Sequence, residues 1–146
     1  MPALSEVVKD PTRRRAVVDD CVNLIEAEVH DKSGLTGMAI KAAYGAVKNI
    51  KPGFVALAMN DLLDPFSQKV DPFWAECQSK KANARTFFQS KRTDIANALL
   101  SITDVRAGKS DHKVLVKAYH KLRPQALSHI GDAMPRLADL IVKHAS

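Results

Sequence analysis

Residues 11–31 read PTRRRAVVDDCVNLIEAEVHD, and this stretch decides the fold class. Its apolar residues recur every three or four positions, at Val17, Val18, Cys21, Leu24, Ile25 and Val29. That spacing places them on one face of an α-helix, because a helix completes one turn in about 3.6 residues. The pattern predicts one amphipathic helix over about 11–31, with its apolar face toward a core.

The same periodicity continues along the chain, and the alternation typical of β-strands is almost absent. Further helices are predicted over about 36–49, 52–64, 72–77, 84–90, 91–106 and 110–122, and from 124 to the end with a break at Pro135. A length of 146 residues fits one domain, over 1–146. The sequence therefore predicts an all-α, compact multi-helix bundle.

The dipeptide Asp-Pro occurs three times, at residues 10–11, 64–65 and 71–72. An aspartate caps a helix by accepting hydrogen bonds from free N–H groups of the first turn. Proline suits the next position, because an N–H is not needed there. Each dipeptide is therefore predicted to begin a helix.

An offset of 75 residues aligns the two halves of the chain, roughly 15–71 with 90–146. The aligned positions share the pairs Ala43-Tyr44 with Ala118-Tyr119, and Ala58-Met59 with Ala133-Met134. Any two amphipathic helices match in period, but identical pairs at one ungapped offset go further. An ancestral duplication would give two helical halves related by a pseudo-twofold axis, neither of which folds alone.

Tyr44 and Tyr119 would then occupy equivalent positions. One interpretation is that both rings are buried and their hydroxyl groups reach polar partners. The other is that they form a symmetric pair lining a central cleft. Both interpretations remain open at the level of sequence.

Two stretches carry a resemblance to a known family. They are residues 31–37, DKSGLTG, which run into AIKAAY at 39–44, and residues 71–74, DPFW. In these the chain resembles a family of small all-helical bacterial proteins of unknown function, along most of its length. The resemblance implies a helical bacterial protein and supplies no activity, cofactor or catalytic residue.

The sequence offers no recognisable catalytic, cofactor or metal motif. No two of the five histidines are spaced four apart, and HExxH and GxSxG are both absent. Cys21 lies on the apolar stripe of its helix, where burial would make the thiol unreactive. We therefore expect no catalytic residues, no cofactor and no metal site, and the balance is against an enzyme.

Positive charge is concentrated in the second half of the chain. The net charge is −1 over residues 1–73 and +7 over residues 74–146. Lys113, Lys117 and Lys121 recur every four residues and so share a helix face, next to Arg123. This face is either simply solvated or a contact for an anionic polymer such as nucleic acid.

The N-terminus has no basic segment followed by an apolar one, so no secretory signal is predicted. No apolar run approaches the roughly 20 residues of a membrane span, and no membrane insertion is expected. Cys21 and Cys77 are far apart in sequence, as expected for buried thiols in a reducing compartment. A cytoplasmic location follows.

Three functions remain open. The first is a non-enzymatic binding or scaffold protein that contacts an unknown protein partner or itself, as a homodimer. The second is nucleic-acid binding through Lys113, Lys117, Lys121 and Arg123. The third is a small-ligand carrier with an apolar cleft between helices, near Tyr44 and Tyr119.

Overall fold

The computed structural model describes residues 2–146, and over this part of the chain it contains helices and no β-strand. The α-helices are α1 Leu4–Val7, α2 Pro11–Asp31, α3 Gly34–Lys48, α4 Phe54–Ser79, α5 Ala84–Ser90, α6 Arg92–Lys109, α7 Lys113–Leu122, α8 Ala126–Asp132 and α9 Met134–Ala145. A 3-10 turn, Arg123–Gln125, joins α7 to α8. The all-α prediction is confirmed, and so are the bounds predicted for α2.

The prediction that every Asp-Pro dipeptide begins a helix is right once and wrong twice. Asp10 caps α2, where its carboxylate accepts hydrogen bonds from the N–H groups of Thr12 (2.9 Å) and Arg13 (3.4 Å). The other two dipeptides lie inside α4, which runs unbroken past both prolines.

A tertiary contact helps α4 to continue through Pro65. A proline inside a helix leaves the carbonyl four residues earlier without its N–H donor, and here that carbonyl belongs to Asp61. The guanidinium of Arg106, on α6, donates to this oxygen at 3.2 Å. The hydrogen bond lost within α4 is thus replaced from a neighbouring helix.

The carboxylates of the two interior dipeptides serve other helices. Asp64 forms an ion pair with Arg14 of α2 at 2.8 Å. Asp71 accepts hydrogen bonds from the backbone N–H groups of Leu4 (2.6 Å) and Ser5 (3.2 Å), and so caps α1. An aspartate in an Asp-Pro dipeptide, which was expected to cap the helix that follows it, therefore caps a helix 67 residues away in sequence.

The connection from α2 to α3 is tight. Gly34 has a left-handed backbone with φ of 70°, which favours glycine. A Cβ atom at Gly37 would lie 2.6 Å from the carbonyl carbon of Lys32, so any larger residue would push the two segments apart. These two glycines fix the position of α3 against the end of α2.

The core lies between α1, α2, α4, α5, α6 and α9. The largest side chains that are fully buried are Phe88, Ile95, Met134, Ile141 and Cys77. Helices α3 and α7 pack against each other at one side of the molecule. This arrangement leaves a space between α1, α2, α3, α4, α6, α7, α8 and α9, which is the candidate site.

Candidate ligand cavity

A partly open cavity with a volume of about 510 Å³ lies between the helices, and its wall is almost entirely apolar. Aliphatic side chains from most of the helices line it, among them Leu24 and Ile25 of α2 and Leu99 and Leu100 of α6. Aromatic residues make up only 5% of the sequence. Medium-sized aliphatic groups therefore form most of the wall.

One polar part of the wall is formed by Glu28, Lys32 and His129. The Lys32 ammonium lies 3.7 Å from the Glu28 carboxylate and 3.1 Å from Asp132. Burial, followed by the positive charge of Lys32, lowers the pKa of His129 and so favours its neutral form. The charges in this part of the wall are therefore already matched by the protein itself.

Glu28 has a second cationic partner. The Arg136 guanidinium of α9 contacts Glu28 and also lies 2.7 Å from the Asp31 carboxylate. The hydrogen bond from Arg136, more than any other contact, lowers the pKa of Asp31. These contacts join the end of α2 to the start of α9 beside the cavity.

A second polar part contains Thr103, Tyr119 and Arg123. The Tyr119 hydroxyl donates to the Asp104 carboxylate and lies 2.8 Å from the Thr103 hydroxyl. Arg123 binds Asp104 through two hydrogen bonds, of 2.9 and 3.1 Å. The Arg123 hydrogen bond, followed by that of Tyr119, lowers the pKa of Asp104, so an ionised carboxylate holds both side chains in place.

Cys21 and His144 also line the cavity. Burial, with a smaller contribution from the charge of Asp20, raises the pKa of the Cys21 thiol to about 12. His144 lies 2.6 Å from the Asp20 carboxylate. The cavity thiol is therefore protonated at neutral pH and a poor nucleophile.

The two tyrosines singled out from the sequence have different surroundings. Tyr119 lines the cavity, whereas Tyr44 is not part of its wall. Burial and the nearby charge of Glu26 raise the pKa of Tyr44 to about 12. The Lys48 ammonium lies 5.6 Å from the centre of the Tyr44 ring. The wall of this cavity thus includes one of the two tyrosines.

The four basic residues singled out from the sequence also separate into two groups. Arg123 lines the cavity and is bound to Asp104. Lys113, Lys117 and Lys121 are exposed on α7. Across residues 2–146, none of these three lysines forms an ion pair.

No pattern in the sequence singles out Thr103, Asp104 or the apolar wall. Tyr119 and Arg123 are four residues apart and so lie near each other on a helical segment, which was an available signal. Asp104 lies 19 residues before Arg123, and no periodicity connects them. The cavity itself is set by how the helices pack, which no local pattern encodes.

Two further findings concern the residues from 2 to 146. In this range, no three His, Cys, Asp or Glu side chains are grouped so that they could hold a metal ion. None of the helices described is both long and apolar enough to cross a membrane.

The fold and the cavity define a small all-helical protein with an apolar interior site. Residues 4–145 match DUF6918, a family of unknown function, and the chain belongs to that family. No curated protein and no solved structure shows significant similarity to the chain.

Proposed function

We propose that the protein binds a small, largely apolar molecule in the cavity between its helices. The observation that carries this proposal is a space of about 510 Å³ with an almost wholly apolar wall. Ligand sites in proteins have volumes of roughly 300–1,000 Å³ and are lined mainly by apolar side chains. Of the three functions that the sequence leaves open, this geometry favours the ligand carrier.

An apolar cavity of this size favours an apolar occupant. Water is a poor filler, because an apolar wall offers it few hydrogen-bond partners. An apolar ligand would supply the missing contacts.

The polar groups of the wall support binding rather than covalent chemistry. Lys32 and Arg123 are paired with acids, and the Cys21 thiol is protonated at neutral pH. These side chains are held in place and do not present an activated nucleophile. The ligand would therefore be held by apolar contact and released unchanged.

Native mass spectrometry of freshly purified protein tests the proposal, together with titration by N-phenylnaphthylamine, an uncharged apolar dye. We expect extra mass on the monomer and saturable binding of the dye. A bare mass of 16.0 kDa together with no saturable dye binding would overturn the proposal.

Two variants test whether the dye binds in the cavity. Ala126 and Ala133 line it, so the double change Ala126→Leu/Ala133→Leu removes volume that the dye needs. We expect the dye affinity to fall by about tenfold or more. Ala16 is exposed on α2 and lies outside the cavity wall, so Ala16→Leu is the matched control and should bind the dye as the natural chain does.

We also propose that the protein works in the cytoplasm. Both thiols, Cys21 and Cys77, are free, which suits a reducing compartment. Acid quenching of cells, followed by thiol alkylation under denaturing conditions and mass spectrometry, should find both cysteines alkylated. A disulfide between them would contradict this location.

A further inference from the structure

The outer face of α3 exposes apolar side chains. Leu35 is 86% exposed and Met38 is 68% exposed, the two highest values among the large apolar residues that are exposed. Ala39, Ala42 and Ala46 continue the same exposed face along the helix. The inner face of α3 is also apolar, with Ile40 and Ala43 buried. Core packing therefore does not account for the apolar residues on the outer face.

The outer face of α7 is basic. Lys113, Lys117 and Lys121 are exposed on it, and Val114 between them is 46% exposed. Together α3 and α7 contain five lysines and no acidic residue, and of these lysines Lys48 is paired with Glu26 of α2 at 3.2 Å. Asp111 precedes α7 by two positions. The positive charge of this face is therefore available to an anionic partner.

The two outer faces lie on neighbouring helices, and together we call them the α3–α7 surface. The helices pack against each other, and each turns its opposite side to the interior, where Ile40 of α3 and Tyr119 and Leu122 of α7 line the cavity. The α3–α7 surface is therefore the outer side of one wall of the cavity. A partner bound there would lie directly over the candidate ligand site.

We propose that the α3–α7 surface docks on an anionic phospholipid membrane, and that the cavity exchanges its apolar ligand with that membrane. The second part of this inference rests on the proposed function. Docking is peripheral: the lysines would contact lipid phosphates and carboxylates, while Leu35 and Met38 enter the boundary between head groups and acyl chains.

The composition of the surface favours a bilayer over the other anionic partners. Nucleic acid would engage the lysines but would leave Leu35 and Met38 in water. A second copy of the chain could cover the apolar side chains, but it would bring a second set of lysines close to the first. A membrane with anionic lipids matches both the charge and the apolar groups.

Vesicle flotation measures the docking, with vesicles of phosphatidylcholine alone or mixed with phosphatidylserine. We expect the natural chain to bind the mixed vesicles and not the neutral ones. The triple change Lys113→Gln/Lys117→Gln/Lys121→Gln should weaken binding by about a hundredfold, because each lysine near an anionic surface contributes about fivefold. Equal binding to both vesicle types would overturn the inference.

A charge-matched control separates this surface from the overall charge of the protein. Arg13, Arg15 and Lys69 are exposed and lie on α2 and α4. Changing these three residues to Gln removes the same charge elsewhere and should leave binding within about threefold of the natural chain. If this control weakens binding as much as the α7 triple variant, the docking site is not the α3–α7 surface.

The apolar part has its own variant, Leu35→Ser/Met38→Ser. Both side chains are exposed, so the protein should remain folded by circular dichroism while its binding to mixed vesicles falls. Salt-sensitive DNA binding that depends on the lysines, without vesicle binding, would overturn the inference. So would a dimer in solution that these serines dissociate.

Dye binding without vesicles distinguishes this inference from the proposed function. Dye bound in the cavity with no vesicle binding would overturn membrane docking and leave the ligand proposal standing. Vesicle binding with no dye binding would overturn the ligand proposal and ligand exchange, and would leave docking as the function of the surface. Both kinds of binding would support the whole inference.

Discussion

The first half of the molecule, residues 15–71, and the second half, residues 90–146, contain helices in corresponding order. With the offset of 75 residues, α2 corresponds to α5 and α6, α3 to α7, and α4 to α8 and α9. The contacts between helices correspond as well. Helix α2 packs on α4, as α6 does on α8, and α4 packs on α6, as α9 does on α2. Helices α3 and α7 pack on each other.

One pair of side-chain contacts follows the same offset in both directions. Arg136 donates to the Asp31 carboxylate at 2.7 Å, and Arg106 donates to the Asp61 carbonyl at 3.2 Å. Adding 75 to residues 31 and 61 gives 106 and 136. Each of the two first-half residues therefore contacts the second-half equivalent of the other. We propose that the two halves arose by duplication, which these exchanged contacts support.

The halves differ most on their exposed faces. Met38, Ala42 and Ala46 of α3 correspond to Lys113, Lys117 and Lys121 of α7, whereas the inward positions Ala43 and Ala118 are alanine in both helices. Packing restricts the inward positions and leaves the outward ones free to differ. The contrast between an apolar and a basic outer face is therefore not required by the fold. The proposed docking of the α3–α7 surface on a membrane would give both faces a function.

Separating the halves should have the largest effect. Residues 1–74 alone would expose the apolar side chains that α4 and α2 pack against the second half, so we expect no cooperative unfolding transition and poor dispersion in NMR spectra. The same holds for residues 75–146. A stable, folded monomer of either half would contradict the view that the two halves share one core.

Alanine substitutions at equivalent core positions of the two halves should lower the free energy of unfolding by different amounts. Met59 and Met134 both line the cavity, but Met59 is 8% exposed and Met134 is 0% exposed. Changing a buried methionine to alanine costs about 2–5 kcal/mol. We expect Met134→Ala to lie in the upper part of that range and Met59→Ala in the lower part, measured by urea unfolding.

Leu57→Ala is the control for this comparison. Its side chain is 52% exposed on the same helix as Met59, and the change should cost less than about 0.5 kcal/mol. Equal losses for Met59→Ala and Met134→Ala would show that the two positions are packed alike, in spite of their different exposure.

Local patterns predict some helices well and others poorly. The ends of α2 follow from a periodic stripe and a cap that lie within the same 22 residues, Asp10–Asp31. Helix α4 could not be predicted in this way, because Asp64 and Asp71 bind groups 50 and 67 residues away in sequence. The local capping rule fails where a group distant in sequence binds the same aspartate side chain.

The candidate site likewise contains residues that a local pattern predicts and residues that it does not. Tyr119, Arg123 and the three lysines of α7 could be named from the sequence, because spacing along one helix determines which side chains share a face. The partner Asp104 and the cavity could not. Both depend on how α6 and α7 pack, and a cavity is a volume that side chains of several helices leave unfilled.

The smallest expected effect concerns two ion pairs that lie in corresponding places, one in each half. Asp64 of α4 binds Arg14 in the first turn of α2, and Asp139 of α9 binds Arg85 in the first turn of α5. In both pairs, a hydrogen bond from the arginine lowers the pKa of the aspartate. A carboxyl whose pKa is lower in the folded state stabilises the fold above its unfolded pKa, and that contribution is lost as the pH falls.

Asp64→Asn should therefore lower the free energy of unfolding at pH 7 by up to about 1 kcal/mol, and should reduce the loss of stability below about pH 4. The effect of Asp139→Asn should be smaller, because the Arg85 side chain is 62% exposed while that of Arg14 is 23% exposed. Urea unfolding at pH 7 and at pH 3 measures both variants. If Asp139→Asn proves the more destabilising, solvent exposure does not set the strength of these pairs, and the pair within the second half contributes more to stability than the pair within the first half.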